Sequence, residues 1–218
     1  MKKTLAAIAV TLLTWTSAQA GVLTQTQNIA NDQTPWDPYT LSFAKFDSSL
    51  GTLSSATFSF GGHIASLFSA ENRNNVATTL HNQLAGSLSF LLPDNSVHAV
   101  LFNETSSVAV SAYDGRTDFA GSSGYSNFEV SATLSDATSL SDLLALIGSG
   151  SFDVVVDADD SSVTTGAGNL SRTVTTSADA WVSVRYDYVD APAKVPEPAS
   201  LALVGLALVG LGATRRRR

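Results

Sequence analysis

The stretch Ala56-Thr57-Phe58-Ser59-Phe60 sets apolar side chains against hydroxyl side chains with a period of two. That period places successive side chains on opposite faces, so the stretch predicts a β-strand with one buried face. Similar alternation recurs around residues 41–43, 84–92, 108–110, 128–134, 154–156 and 182–188. Many short alternating strands predict a single antiparallel, jelly-roll-like β-sandwich, because parallel sheets show continuous apolar runs instead.

Short turn signals separate several of these segments. They are Gly61-Gly62, Pro93-Asp94-Asn95, Asp114-Gly115 and Gly166-Ala167-Gly168. One segment has helical spacing instead, with apolar residues at Leu140, Leu143, Leu144 and Ile147. Ser139 and Asp142 resemble a capping box at its start, and Gly148 fits a C-terminal stop. We therefore expect one short, two-turn helix at an end of the sandwich, and the longest loop over residues 114–127.

The composition excludes several classes of protein. The 218 residues include no cysteine, which excludes disulfides, a thiol nucleophile and cysteine-ligated metals. There are 12 Lys+Arg against 19 Asp+Glu, a net charge of −7, so we expect no nucleic-acid partner. Charged residues make up only 14%, below the roughly 25% of typical domains, so hydroxyl side chains must supply much of the polar surface.

The N-terminus has the three-part layout of a secretory signal peptide. Lys2 and Lys3 precede an apolar run over residues 5–13, which is well short of the roughly 20 residues of a spanning helix. The small residues of a signal-peptidase site follow at Ala18 and Ala20. We expect signal peptidase to remove residues 1–20, which leaves Gly21 as the first residue.

The C-terminus has three parts of its own. Pro196-Glu197-Pro198 breaks regular structure, because proline lacks an N–H donor and restricts the residue before it. Residues 199–214 carry no charge and predict a transmembrane helix about 24 Å long. The chain closes with Arg215, Arg216, Arg217 and Arg218. By the positive-inside rule the arginine cluster stays in the cytoplasm and residues 21–195 are exported.

These three C-terminal parts, in this order, resemble the PEP-CTERM sorting signal of Gram-negative bacteria. The resemblance implies an exosortase, a membrane transpeptidase-like enzyme that cuts at or near Pro-Glu-Pro. It also implies export through the inner membrane as an anchored precursor, which then becomes a cell-surface or secreted protein. The alternative is a plain membrane anchor, and the physics of the segment alone does not separate retention from cleavage.

A second resemblance is carried by Trp36, Leu41-Ser42-Phe43, the run from Phe46 to Leu53, Gly166-Ala167-Gly168-Asn169, and the run from Val184 to Tyr188. These stretches, spread over residues 22–189, are similar to the family named choice-of-anchor E. The resemblance implies an exported bacterial β domain that carries one of several alternative anchors. It implies no activity, because the family has none that is established.

No catalytic pattern is recognisable in the chain. His63, His81 and His98 lie in separate segments without the spacing of metal ligands. Gly148-Ser149-Gly150 follows a predicted helix and lacks the strand–elbow–helix context of a hydrolase nucleophile. We therefore expect no enzymatic activity, no catalytic residue and no cofactor other than the cation considered next.

Four carboxylates crowd the end of one predicted strand, at Asp153, Asp157, Asp159 and Asp160. Carboxylate oxygens at this density suit Ca²⁺. Residues 21–195 hold 18 acidic and 6 basic side chains, so a cation would also relieve repulsion. The order of ligands is not that of an EF-hand, and a solvated acidic loop without metal is the alternative.

Aromatic residues suggest a second site. Trp36 and Tyr39 flank Pro38 in a turn, and Trp181 falls on the strand face opposite to Val182. Exposed rings of this kind can stack on sugars, which predicts contact with an extracellular polysaccharide. The alternative is that these rings plug the core or the edges between two sheets.

Together, these patterns predict an exported, membrane-tethered protein with a non-enzymatic structural or adhesive role at the cell surface or in a biofilm matrix. The partners expected are signal peptidase, an exosortase-type processing enzyme and the membrane. The alternative function is a carbohydrate- or calcium-binding module of the extracellular polysaccharide matrix.

Overall fold

The computed structural model describes residues 20–191, which form eight β-strands. The strands are β1 (Ala20–Gln33), β2 (Tyr39–Ala44), β3 (Gly51–Asn72), β4 (Thr78–Leu91), β5 (Val97–Val110), β6 (Gly124–Ser139), β7 (Ser151–Thr165) and β8 (Leu170–Asp190). These residues contain no helix that could span a membrane. The predicted signal peptide up to residue 19, the sorting motif, the C-terminal helix and the arginine cluster lie outside the described residues.

The strands form two four-stranded sheets. Sheet A has the order β1-β8-β3-β6, and sheet B has the order β2-β7-β4-β5. All ladders are antiparallel, and the first strand pairs with the last, the second with the seventh, the third with the sixth and the fourth with the fifth. The chain is thus one long hairpin rolled into two sheets, which is the arrangement of a jelly roll. The predicted antiparallel sandwich is confirmed.

The hydrophobic core lies between the two sheets, and the alternation in β3 shows why. Phe58, Phe60 and Ile64 face inward and are fully buried, whereas Thr57 and Ser59 are only partly buried. The ring of Phe60 stacks on that of Phe90 in β4, with 4.5 Å between ring centroids. Since each aromatic side chain removes about 150–250 Å² from water, these contacts hold sheet A against sheet B.

Side-chain hydrogen bonds close the open side of the sandwich between edge strands β1 and β2. Gln25 Nε2 donates to the carbonyl of Ala44 (2.9 Å), and the Ala44 N–H donates to Gln25 Oε1 (3.0 Å). Gln27 Nε2 donates to the carbonyl of Ser42, and the Tyr186 hydroxyl of β8 also reaches the carbonyl of Ala44 (3.0 Å). These bonds satisfy backbone groups that an edge strand would otherwise leave free.

The predicted turn at Gly61-Gly62 is wrong, because β3 runs straight through both residues. A Cβ on Gly61 would lie 2.2 Å from the carbonyl oxygen of Leu134 in β6. A Cβ on Gly62 would lie 2.1 Å from the carbonyl oxygen of Asp179 in β8. The two glycines therefore allow both neighbouring strands to approach β3 closely, and this explains their place within a strand.

The predicted two-turn helix is also wrong in extent. The segment forms only a 3₁₀ turn over Leu144–Leu146. The Leu146 N–H donates to the carbonyl of Leu143 (3.0 Å), and the Gly148 N–H donates to the carbonyl of Phe46 (3.0 Å). The first is an i to i+3 bond and the second leaves the segment, so neither N–H bonds to the residue four places back as an α-helix requires.

The remaining turn signals agree with the structure. Residues 92–96 connect β4 to β5, and residues 166–169 connect β7 to β8. Asp114-Gly115 lies in the longest connection, which spans residues 111–123 because β6 already begins at Gly124. The first and last described residues thus lie at one end of the sandwich. The connections at 73–77, 111–123 and 166–169 lie at the opposite end, and we call them the distal loops.

Gly86 offers a test of packing in sheet B. A Cβ on Gly86 would lie 2.1 Å from the carbonyl oxygen of Asp159 and 2.6 Å from the Phe102 ring. Gly86→Ala is therefore expected to lower the free energy of unfolding by about 1–3 kcal/mol, measured by urea denaturation. Gly168→Ala is the matched control, since no atom lies within 4 Å of a Cβ there. Equal stability of the two variants would contradict this packing.

Candidate functional site

A shallow groove lies along β1, where the ladder with β8 is irregular between Ile29 and Asp32. The groove has a volume of about 310 Å³ and is lined by Asn28, Ile29, Ala30, Asn31, Asp32, Tyr39 and Leu41. A bulge bends a strand and redirects its side chains. This irregularity explains how consecutive polar residues of β1 come to share a concave surface with Tyr39 of β2. We call this surface the β1 groove.

Tyr39 and Asp32 form the polar centre of the β1 groove. The Tyr39 hydroxyl donates to Asp32 Oδ2 at 2.6 Å, and the Gln33 N–H donates to Asp32 Oδ1 at 2.8 Å. The bond from Tyr39 lowers the pKa of Asp32, and the same bond raises the pKa of Tyr39. Asp32 is therefore held as a carboxylate at neutral pH, and its remaining lone pairs can accept hydrogen bonds from a ligand.

Trp36 does not present its ring as predicted. Its side chain is only 7% exposed, and it meets the Tyr39 ring edge-on with 5.2 Å between centroids. Its indole Nε1 donates to the carbonyl of Asp32 at 3.3 Å. Trp36 thus fills the edge between the sheets and supports Tyr39, as the alternative prediction for this residue had it. Its buried ring cannot contact a sugar.

Trp181 lies on the outer face of sheet A, opposite to the fully buried Val182, as predicted. Its cross-strand partners are Asn28 on β1 and Gly61 on β3. Asn28 also lines the β1 groove, as does Tyr39. Gly61 has no side chain, so no side chain covers the indole from that position. Tyr39 therefore lines the β1 groove, whereas Trp181 lies one strand away, beside the groove residue Asn28.

The chemistry of this region suits a saccharide. The outer face of sheet A, to which Trp181 belongs, carries hydroxyl pairs, with Thr26 donating to Ser183 at 3.0 Å and a Thr57–Ser139 contact of 3.1 Å. An indole face can cover the apolar face of a sugar ring. Amide and carboxylate groups such as those of Asn28, Asn31 and Asp32 exchange hydrogen bonds with sugar hydroxyls.

The four carboxylates of the predicted calcium site do not converge. Asp153, Asp157 and Asp159 lie on the outer face of β7, whereas Asp160 lies on the inner face. Thr34 Oγ1 donates to Asp160 Oδ1 at 2.6 Å, and Ser162 Oγ donates to Asp160 Oδ2 at 3.0 Å. Among residues 20–191, no three Asp, Glu, His or Cys side chains are grouped so that they could hold a metal ion. Calcium binding stays a prediction, which calorimetric titration of residues 21–195 would check.

Asp157 gives a pH-dependent prediction. Burial raises the pKa of Asp157, and repulsion from Asp159 raises it further. The ionised carboxylate of Asp157 therefore lowers the stability of the fold at pH 7. This destabilisation decreases as the pH falls from the pKa of Asp157 in the folded state toward 3.8, its pKa in the unfolded chain. Asp157→Asn is expected to raise the unfolding temperature at pH 7, with a gain that shrinks in acid. Thermal unfolding across this pH range measures the effect.

The control for Asp157→Asn is Asp153→Asn, an exposed carboxylate on the same face of β7. Its effect on the unfolding temperature is expected to be smaller at pH 7, because an exposed carboxylate keeps its hydration. Destabilisation by Asp157→Asn at pH 7 would show that its charge supports the fold.

A buried carboxylate near the distal loops was not predicted. Glu71 is fully buried, and its Oε1 accepts a hydrogen bond from Ser123 Oγ. Its Oε2 has no partner in the described part of the chain, and a Cβ on Gly124 would lie 2.2 Å from that atom. Glu71 thus fixes connection 111–123 against sheet A. Strand alternation alone places residue 71 outward, so no sequence signal marks it.

The predicted leader junction lies within a paired strand. Ala20 pairs with Val189, and Gly21 pairs with Tyr188. Ala18 lies outside the described residues. The chain therefore enters and leaves the sandwich at adjacent strand ends.

Comparison with solved structures gives only distant similarity. A mutant VP2 protein of infectious bursal disease virus, in derived T=1 particles, is 11% identical, with 96% of this chain and 52% of that chain covered and a TM-score of 0.22. A second structure of infectious bursal virus derived T=1 particles is 13% identical, with coverages of 94% and 51% and a TM-score of 0.22. This chain spans about half the length of those chains. The fold assignment therefore rests on the strand topology.

No curated protein matches the chain. One family model does match, that of the PEP-CTERM protein-sorting motif, over residues 194–218. The match includes Pro196-Glu197-Pro198, the uncharged segment and the terminal arginines. Residues 194–218 of this chain are therefore a PEP-CTERM protein-sorting motif.

Proposed function

We propose that this chain is a non-enzymatic protein of the cell surface or extracellular matrix with a structural or adhesive role. Its leader delivers it across the inner membrane, residues 199–214 hold the precursor there, and an exosortase-type enzyme processes it at Pro196–Pro198. The observation that carries the proposal is the sorting motif at 194–218, which begins shortly after the last described strand, β8, ends at Asp190.

The architecture supports a tethered domain that presents one end. Because Ala20 pairs with Val189, both chain ends leave the sandwich at the same end. The distal loops therefore face away from a membrane to which residues 199–214 are attached. Backbone bonds join these loops into one surface: the Tyr113 N–H donates to the carbonyl of Asn74 (2.8 Å), and the Arg73 N–H donates to the carbonyl of Asn169 (2.9 Å).

The test compares the full chain with a chain that ends at residue 191, both expressed in an exosortase-bearing Gram-negative host. Protease is added to intact cells, and cell attachment to a surface is measured in parallel. We expect the full chain to be digested on intact cells and to increase attachment, and the shortened chain to be protected in the periplasm. Protection of the full chain would overturn the proposed location, and unchanged attachment would overturn the adhesive role.

A carbohydrate-binding module is the second candidate, and the β1 groove with the neighbouring Trp181 favours it. Under this hypothesis Trp181→Ala and Tyr39→Ala each weaken binding to purified matrix polysaccharide at least about fivefold, since each loses a contact of roughly 1 kcal/mol or more. Co-sedimentation of the mature protein with the polysaccharide measures the effect.

The matched control for the carbohydrate test is Tyr113→Ala, which removes a tyrosine from connection 111–123 at the distal end. Its binding is expected to equal that of the unmodified protein. Unchanged binding of both Trp181→Ala and Tyr39→Ala would rule out this region as the sugar site.

A further inference from the structure

The bond that signal peptidase would cut lies within the paired part of strand β1. In the folded domain Ala20 and Gly21 are the first two residues of β1 and pair with Val189 and Tyr188 of β8. The Tyr188 ring lies so close to Gly21 that a Cβ there would come within 2.3 Å of it. The ring of Tyr188 packs in turn on that of Phe46, with 5.1 Å between centroids.

A bond in this position is a poor substrate for a protease. Enzymes that bind an extended peptide use its backbone hydrogen-bonding edge and reach the scissile carbonyl from its faces. At the Ala20–Gly21 bond, β8 occupies one edge and the Tyr188 ring covers the inner face. Cleavage of the folded precursor therefore requires β1 to separate locally from β8.

The topology delays the formation of this ladder. Among the described strands β1 pairs only with β8, which is the last strand of the domain. Gly21 and its partner Tyr188 are about 170 residues apart in sequence. At synthesis rates of roughly 5–20 residues per second, export of the leader would precede export of β8 by roughly 10–30 s. During this interval β1 has no strand to pair with, and the cleavage site stays accessible.

A late cleavage would leave the precursor held at both ends. The chain before Ala20 and the chain after Ala191 leave from the same end of the sandwich. The apolar run ending at Leu13 and the uncharged segment beginning at Ala199 are each only seven or eight residues from the folded domain. Both could reach one membrane while β1 and β8 are paired, so folding alone would not pull the leader free.

We infer that the leader is removed before β1 pairs with β8, and that closure of this ladder ends the period in which signal peptidase can act. The inference rests on the proposed export by a cleaved leader. It adds an order of events: leader cleavage first, closure of the sandwich by β8 second, and processing at Pro196–Pro198 after that.

The experiment uses the purified full-length precursor in detergent micelles with a bacterial signal peptidase. Folded precursor and precursor kept unfolded in mild urea are digested in parallel, with a peptide substrate to correct for any effect of urea on the enzyme. A second precursor carries a Gly-Ser-Gly-Ser-Gly-Ser insertion between Ala20 and Gly21, which moves the cleavage site out of the ladder and keeps glycine after the cut.

For the unmodified precursor, we expect cleavage of the folded form to be slower than that of the unfolded form by roughly tenfold or more. For the precursor with the insertion, we expect similar rates in both states. Equal rates for the unmodified precursor in both states would overturn the inferred order. If neither precursor is cut even when unfolded, the leader assignment itself fails and the inference falls with it.

Discussion

Phe60→Ala is expected to lower the free energy of unfolding by about 3–5 kcal/mol. Phe60 is fully buried, stacks on Phe90 across the two sheets, and lies 5.7 Å from the His98 ring between centroids. Its strand is paired on both edges, by β6 and β8, so the backbone cannot move easily to fill the cavity. Because a domain of this size is stable by about 5–15 kcal/mol, the variant loses a large part of its stability.

Urea denaturation of residues 21–195 measures this loss. Leu101→Ala is the matched control, because Leu101 lies on edge strand β5 and is 76% exposed. The substitution therefore removes apolar atoms that already contact water. We expect the control to change the free energy of unfolding by no more than about 0.5 kcal/mol. If Phe60→Ala were as mild as Leu101→Ala, the contact between the sheets at Phe60 and Phe90 would be refuted.

The double variant Pro196→Ala, Pro198→Ala is expected to abolish release of the protein into the medium. Proline fixes its own φ and biases the preceding residue toward extended conformations, so Pro-Glu-Pro presents an extended backbone to a processing enzyme. With alanine at both positions this restriction is lost, while the uncharged segment and the arginines remain. The variant should therefore collect as membrane-bound precursor.

Immunoblots of membrane and medium fractions measure this effect. Pro192→Ala provides the control, because it removes a proline that lies just before the matched residues 194–218. Its distribution between the fractions should equal that of the unmodified chain. Normal release of the double variant would mean that processing does not depend on the Pro-Glu-Pro motif.

The core strands were predictable because their inward positions are apolar. In β3, β4 and β8 the alternating residues of the sequence are the ones that the structure buries. Strand β1 was missed because its inward positions include Gln25 and Gln27, whose amides bond to the backbone of β2. A polar residue at an inward position hides the period of two on which the prediction depends.

The Gly61-Gly62 pair and the segment 140–147 were misread for a different reason. Both have local signals that are correct in isolation, a glycine pair for a turn and helical spacing for a helix. In the fold, neighbouring backbones determine the outcome: β6 and β8 approach the glycines, and the Gly148 N–H bonds to the carbonyl of Phe46. Long-range contacts of this kind carry no mark in a local window.

The candidate site was predictable in its residue types and not in its geometry. Tyr39 and Trp181 were expected as ring contacts, but only the register of β1 with β8 shows that Trp181 pairs with Asn28, a residue that lines the groove together with Tyr39. The roles of Trp36 and Asp160 depend on contacts with residues of other segments, which the sequence does not show. Trp36 packs under Tyr39, and Asp160 bonds to Thr34 from the connection after β1.

Export and processing are tested by the intact mass of the protein recovered separately from the membrane and from the culture medium of an exosortase-bearing host. Processing at the motif predicts a medium form that begins at Gly21 and ends near Pro196–Pro198. A mass that still includes Arg218, with all of the protein in the membrane fraction, would contradict processing at the motif and leave residues 199–218 as a plain anchor.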